Sequence, residues 1–182
     1  MLPLFAGGIL GPDLASLGYA TLWNLRDRPH FDSSRTLHSE RLRDFRVPAS
    51  TRHITAYWAA RDHPARINDG IDLLRRHLQA GDRVTTIAFA NPFSFALGLQ
   101  PARDANIFWD LAFSFDERHA PEPGKFLGDA SLVMVPRLAD RSQGWNFDSA
   151  DALMRIYGGY LRANFVLVDS SRVWLLYRRR PA

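Results

Sequence analysis

The sequence predicts a three-layer α/β fold with a mainly parallel sheet and a C-terminal antiparallel hairpin. Three observations carry this. Val84 to Ala90 is an apolar, β-branched run that stops at Asn91-Pro92, and Leu132-Val-Met-Val135 repeats the same grammar before Pro136. Wholly apolar strands of this length suit a sheet covered on both faces. Around them the order from residue 68 is helix, strand, strand, strand, helix and a closing pair of strands, which places helices between sheet members.

In chain order, Asp13 is placed to cap a helix beginning at Leu14, with Leu17, Trp23 and Leu25 as its apolar side. Residues 26–50 read as a polar loop with one helical turn, closed by Pro48, and residues 52–61 fit a strand or a helix equally well. Asn68 or Asp69 then caps a helix carrying Ile71, Leu74 and Leu78 at i, i+3 and i+7, with Gly81 as its left-handed stop. The central strand comes next. Proline has no N–H for a ladder, so that strand ends at Asn91, and Phe93 and Phe95 are expected to plug the space beyond its carboxyl end before Gly98 closes the loop.

Residues 99–106 form a turn around Pro101, Ile107 to Phe115 alternates as a second strand, and Pro121 to Gly124 mark a surface loop. Asp148 or Ser149 opens a helix with Leu153, Ile156, Tyr157, Tyr160 and Leu161 on one side. Gly158 and Gly159 lie inside it at a cost of about 1 kcal/mol each, for which close approach to the sheet is the expected reason. Phe165 to Asp169 and Arg172 to Arg178 are the final strands, joined by a Ser-Ser turn. Residues 1–64 are expected to pack as a helical or irregular segment on an α/β core of residues 65–182.

Composition narrows the chemistry. The 182-residue chain is 46% apolar and 12% aromatic, ample for one packed core. It has no cysteine, which excludes disulfides, thiolate metal sites and a thiol nucleophile. The net charge is +4, and the only cationic run, Arg178 to Arg180, reads as a solvated terminus, so no nucleic-acid partner is expected. Residues 1–10 are apolar but lack a basic leader and are broken by glycines, and no window reaches the ~20 apolar residues of a membrane span.

No catalytic constellation stands out. The six histidines have no HxH or HExxH spacing, so no metal is expected, and no Gly-x-Ser-x-Gly elbow is present. Ala6-Gly-Gly8-Ile-Leu-Gly11 imitates a dinucleotide turn but begins with Ala and follows a candidate strand of only about five residues that carries Pro3, so it reads as a plain capped turn in preference; no cofactor is expected. In open α/β sheets, ligands bind beyond the carboxyl ends of the strands, which makes Asn91, Ser94, Asp110 and Arg137 the rim candidates. Asn91 could equally cap its own Pro turn, and Asp110 could lie on a solvent face.

Asn68-Asp-Gly-Ile-Asp-Leu-Leu74, Arg83-Val84, Ala90-Asn-Pro-Phe-Ser-Phe-Ala-Leu-Gly98, Asp129-Ala-Ser-Leu-Val-Met-Val-Pro136 and Ser171-Arg-Val-Trp-Leu-Leu-Tyr-Arg-Arg179 carry a resemblance over roughly residues 65 to 180. Together they resemble the extracytoplasmic C-terminal domain of bacterial polytopic membrane proteins similar to dolichyl-phosphate-mannose protein mannosyltransferases. The matching segments are fold-forming, and no catalytic residue carries over. The resemblance implies a non-catalytic accessory domain at the periplasmic face of the inner membrane. Its implied partners are a membrane-embedded transferase core or the membrane surface, and a lipid-linked sugar. The alternative is a freestanding Rossmann-like enzyme binding a nucleotide or nucleotide-sugar, which would be cytoplasmic; it rests on the topology and the Ala6 to Gly11 turn.

Overall fold

The computed structural model describes residues 22, 36–44, 58–105, 108–137 and 147–181, and for 58–63 and 147 the backbone alone. The candidate turn at Ala6 to Gly11 and the helix expected after Asp13 lie outside these residues, apart from Leu22. The chain builds helix α1 (Trp58–Arg75), strand β1 (Val84–Thr86), short helices α2 (Phe93–Leu97) and α3 (Pro123–Leu127), strand β2 (Leu132–Pro136), helix α4 (Phe147–Asn164) and strands β3 (Phe165–Ser170) and β4 (Trp174–Arg179). A single 3-10 turn, Glu40–Leu42, stands in the polar segment where the sequence predicts one helical turn.

The four strands form one mixed sheet in the order β1-β2-β4-β3. Only β1 and β2 run parallel; β2 pairs with β4, and β4 with β3, antiparallel. The fold class is α/β, but the sheet is not mainly parallel. The reason lies in residues 107–115, expected as a strand. Ala112 takes φ 69°, Ser114 Oγ accepts from the Asp110 N–H at 2.7 Å, and the segment turns back on itself, making only isolated bridges at Phe108 and Leu111. β4 takes the place beside β2 that a parallel strand would otherwise fill.

β2 is buried along its whole length, as its unbroken apolar sequence predicts for a central strand. Its side chains alternate between two clusters. Leu132 and Met134 join Ile71 and Leu74 of α1, while Val133 and Val135 join Leu153, Tyr157 and Leu161 of α4. Successive strand residues point to opposite faces, so the clusters lie on opposite sides of the sheet. Phe126 of α3 stacks flat on Tyr157, with centroids 3.9 Å apart. Among the described residues, no helix is long and apolar enough to cross a membrane.

Helix α1 differs most from expectation. It begins at Trp58, runs through Pro64, and continues without a break across Asn68, Asp69 and Gly70. Neither Asn68 nor Asp69 caps a helix, because tertiary partners hold their side chains. Asn68 accepts from the His38 N–H at 2.6 Å and donates to the Thr36 carbonyl at 2.9 Å. Asp69 accepts from the Ser171 hydroxyl and, at 3.2 Å, from the Val173 N–H. The boundary expected between residues 64 and 65 falls inside this helix. At its far end, α1 stops at Arg75, and the left-handed Gly81 (φ 84°) belongs to a separate turn in which the Asp82 N–H meets the Gln79 carbonyl at 3.1 Å.

Strand β1 is also shorter than expected, covering Val84–Thr86 before the chain bends away. Asn91 reaches back to the Val84 carbonyl at 3.0 Å, so the segment closes on itself rather than extending to Pro92. Beyond Pro92 the chain forms helix α2 and not a loop, with Gly98 as its left-handed cap. Phe93 is fully buried as expected, edge-on to Trp174 at 5.0 Å. Trp174 pairs with Pro136, so Phe93 packs beside the carboxyl end of β2, the neighbour of the strand whose end it is expected to plug. Phe95 does not. It is 59% exposed, under the Arg41 guanidinium at 5.1 Å, because helical spacing turns it away from Phe93.

Two glycines have opposite reasons. A Cβ on Gly70 would meet the Phe93 ring at 2.5 Å and the Trp174 indole nitrogen at 3.1 Å, so this helix position must stay bare. Gly159 faces open space, and Gly158 would touch only side chains of its own helix, which removes close approach to the sheet as their explanation. Gly159→Ala should therefore raise stability by about 0.5 to 1 kcal/mol. Gly70→Ala should lower it, since overpacking of about 1 to 3 kcal/mol outweighs the better helix propensity. Urea denaturation of both variants checks the opposite signs, and adding Phe93→Leu should rescue part of the Gly70→Ala loss.

Candidate functional site

The four rim candidates do not form one site. Asn91 and Ser94 come together, with Asn91 Nδ2 3.2 Å from Ser94 Oγ, and both donate to the Val84 carbonyl at 3.0 Å. Asn91 Oδ1 also accepts from the Phe93 N–H at 3.2 Å, so this residue supports the turn as its Pro context suggests. Arg137 points along the sheet end to the Ser171 carbonyl at 3.1 Å, and Asp110 lies half-buried in the turn closed by Ser114. Both therefore have partners of their own, away from the Asn91 pair.

The bonds of Asn91 and Ser94 have a collective effect. β1 is one margin of the sheet, and Val84 would otherwise expose its carbonyl there. Two side chains saturate that carbonyl, Val84 also bridges to Pro101, and the Arg83 guanidinium donates to the Pro101 carbonyl at 2.7 Å. The chain therefore covers its own β1 edge, one of the ways proteins block unwanted strand pairing.

Two charged clusters hold the amino ends of the inner strands. Asp82, almost wholly buried, receives a two-pronged contact from Arg178 at 3.2 Å to each oxygen, the Ser131 hydroxyl at 2.7 Å and the Gln79 N–H at 2.8 Å. Burial pushes its carboxyl up, but the Ser131, Gln79 and Arg178 hydrogen bonds together outweigh that and hold it below the usual range. Arg179 donates to the Gly128 and Ala130 carbonyls, both at 2.8 Å, and stacks over Phe165 at 4.6 Å. Arg178 and Arg179 are thus built into the end of the sheet, and of the expected solvated run only Arg180 is exposed.

The second cluster joins α1 to β3. Asp169 accepts from His77 Nε2 at 2.7 Å, Arg76 at 3.2 Å and the Ser170 N–H at 2.7 Å. The His77 bond first, then Ser170 and Arg76, hold its carboxyl down to about 2. Tyr157 moves the other way. Burial, with the Glu122 charge, pushes its hydroxyl up to about 12, and it donates to the Pro121 carbonyl at 2.8 Å. Among the described residues no group of three or more His, Asp or Glu is placed to hold a metal ion.

The other sheet margin is left open. β3 has β4 on one side and no strand on the other among the described residues. Val166, Leu167 and Val168, all apolar, are 42%, 50% and 36% exposed. The Arg180 N–H meets the Asn164 carbonyl at 2.9 Å, which makes 164/180 and 166/178 the hydrogen-bonded pairs. Alternation in an antiparallel ladder then aims the backbone groups of Leu167 at the open margin, while Phe165, next to the helix end, is buried. A bulge at Val168, between the Leu167 and Asp169 pairings, interrupts the β3–β4 ladder beyond this stretch. Sequence reasoning finds β3 as a strand but not this exposure.

Comparison with protein-family models, with curated proteins and with solved structures finds no match to this chain.

The charged clusters have two measurable consequences. Arg178→Met leaves the buried Asp82 carboxylate without its partner and should cost about 3 to 5 kcal/mol by urea denaturation. Asp82 and Asp169 hold protons less tightly folded than unfolded, so falling pH loads the unfolded chain first. Stability should be full above the ordinary Asp value of 3.8 and drain as pH falls toward about 2. In Asp169→Asn, urea midpoints measured from pH 7 to 2 should start lower and fall less steeply.

Proposed function

We propose that this chain is a non-catalytic docking domain at the outer face of a bacterial membrane, seated on a membrane-embedded transferase core. On this reading the sheet and its two helical faces are a three-layer scaffold that presents one strand edge. The observation that carries it is the asymmetry of the sheet margins: β1 is saturated by Asn91, Ser94 and Pro101, while β3 is open and apolar. An exposed apolar edge invites pairing with another chain, and proteins that have no use for one block it. The polar side chains that a catalytic reading would recruit are engaged in holding the fold: Asn91 and Ser94 on Val84, Asp82 on Arg178, Asp169 on His77. The location and the nature of the core come from the resemblance of residues 65 to 180.

A photo-cross-linking residue at Leu167, expressed in the cells that make the protein, tests this. An adduct with an integral membrane protein is the expected result, with none from the same residue placed at Phe113, which is also exposed but far from β3 in sequence. Adducts with soluble proteins alone would reject the membrane core. A thermal-shift panel of nicotinamide, adenine and uridine nucleotides supplies the opposing test. Binding at ~100 times the dissociation constant adds about 2.7 kcal/mol, so a clear shift would favour a nucleotide-binding enzyme instead.

A further inference from the structure

The geometry points to a mode of docking: an extended segment of a second protein adds antiparallel to β3 as a fifth strand, apolar along its middle and acidic at its carboxyl end. This inference rests on the docking reading and specifies what occupies the open edge. The backbone supplies the first half of the argument. Leu167 aims its N–H and C=O groups outward, and three neighbouring side chains, Val166, Leu167 and Val168, are apolar and exposed. A strand adding there gains main-chain hydrogen bonds and burial together, as in β-augmentation.

Charge supplies the second half. At the Phe165 end of β3 stand Arg179, stacked on the Phe165 ring and bonded to carbonyl oxygens, and Arg180, exposed with no carboxylate partner among the described residues. At the other end the Asp169 carboxylate is already matched by Arg76 and His77. The edge is therefore cationic at one end and neutralised at the other. An antiparallel occupant lays its carboxyl end beside Phe165, which is where its acidic residues must fall.

Two other occupants fit less well. A lipid surface would satisfy the cations and the apolar side chains but leave the outward backbone groups of Leu167 without partners in hydrocarbon, at several kcal/mol each. A second copy of the chain, paired antiparallel, would bring Asp169 toward the cations, but that carboxylate is already engaged and offers no free anion.

The test uses the full 182-residue chain and a labelled, acetylated decapeptide of alternating Val and Thr ending in two Glu, read by fluorescence anisotropy. The same peptide ending in two Lys is the counter-probe. The Glu peptide should bind at least tenfold more tightly at low ionic strength, and the gap should shrink as salt screens the arginines. Leu167→Lys should weaken binding at least tenfold with an unchanged unfolding midpoint, since that side chain is half exposed. Arg180→Glu should remove the preference for the Glu peptide.

Equal binding of both peptides, indifference to Leu167→Lys, or no binding by either would overturn strand addition. So would adsorption of the chain to anionic phospholipid vesicles, or a concentration-dependent dimer, if Leu167→Lys abolishes it. Peptide failure with an intact cross-link from position 167 to a membrane protein would keep docking and reject only its mode. Peptide binding without that cross-link would keep the mode and reject the membrane core.

Discussion

Three consecutive residues in the middle of helix α1 hold this structure together. Asn68 binds the backbone of residues 36 and 38, Asp69 binds the turn between β3 and β4, and Gly70 makes room for the Phe93 ring. One turn of helix thereby fixes a preceding segment, a later helix and the far end of the sheet. The Trp174 indole adds to it, donating to the Arg66 carbonyl at 2.8 Å while its ring meets Phe93 edge-on. These residues are poor helix formers, and their helical state is stabilised by what they touch rather than by propensity. That is why a local reading takes them for a helix start.

A second constraint acts at the amino ends of β1 and β2 and the carboxyl end of β4. Asp82 lies just before β1, Ser131 just before β2, and Arg178 in β4, and one buried carboxylate joins all three. The register of Leu132 with Arg178 is set by this junction as much as by the ladder. A buried ion pair adds little net stability over a well-packed apolar substitute, but it tolerates few alternative arrangements, and that selectivity is its contribution here. The Asp169 cluster repeats the device on a more open surface, tying α1 to the bulge of β3.

The two sheet margins show how such local bonds bear on function. At β1, a carboxamide and a hydroxyl converge on one carbonyl and seal the edge. At β3 there is a bulge and, among the described residues, no covering strand, and three apolar residues are exposed. The same side-chain chemistry that could have lined a pocket instead closes one margin and leaves the other exposed.

From the sequence alone, the α/β class, the buried β2 strand, the long helix ending near Asn164, the final two strands and the burial of Phe93 are all legible. Each depends on a pattern within a few residues: an unbroken apolar run, a 3.6-residue period, or a proline that ends a ladder. Other features depend on partners far along the chain. The continuity of α1 through Asn68-Asp69-Gly70, the turn at Asp110 to Ser114, the antiparallel place of β4 beside β2, and the embedding of Arg178 and Arg179 are decided by tertiary contacts. So is the site. The sequence singles out Asn91 and Ser94 as polar residues after a strand, but only the sheet order shows that their role is to cover an edge. Only the same order shows that Val166, Leu167 and Val168, apolar residues that any sequence reading buries, lie on a strand flanked on one side alone among the described residues.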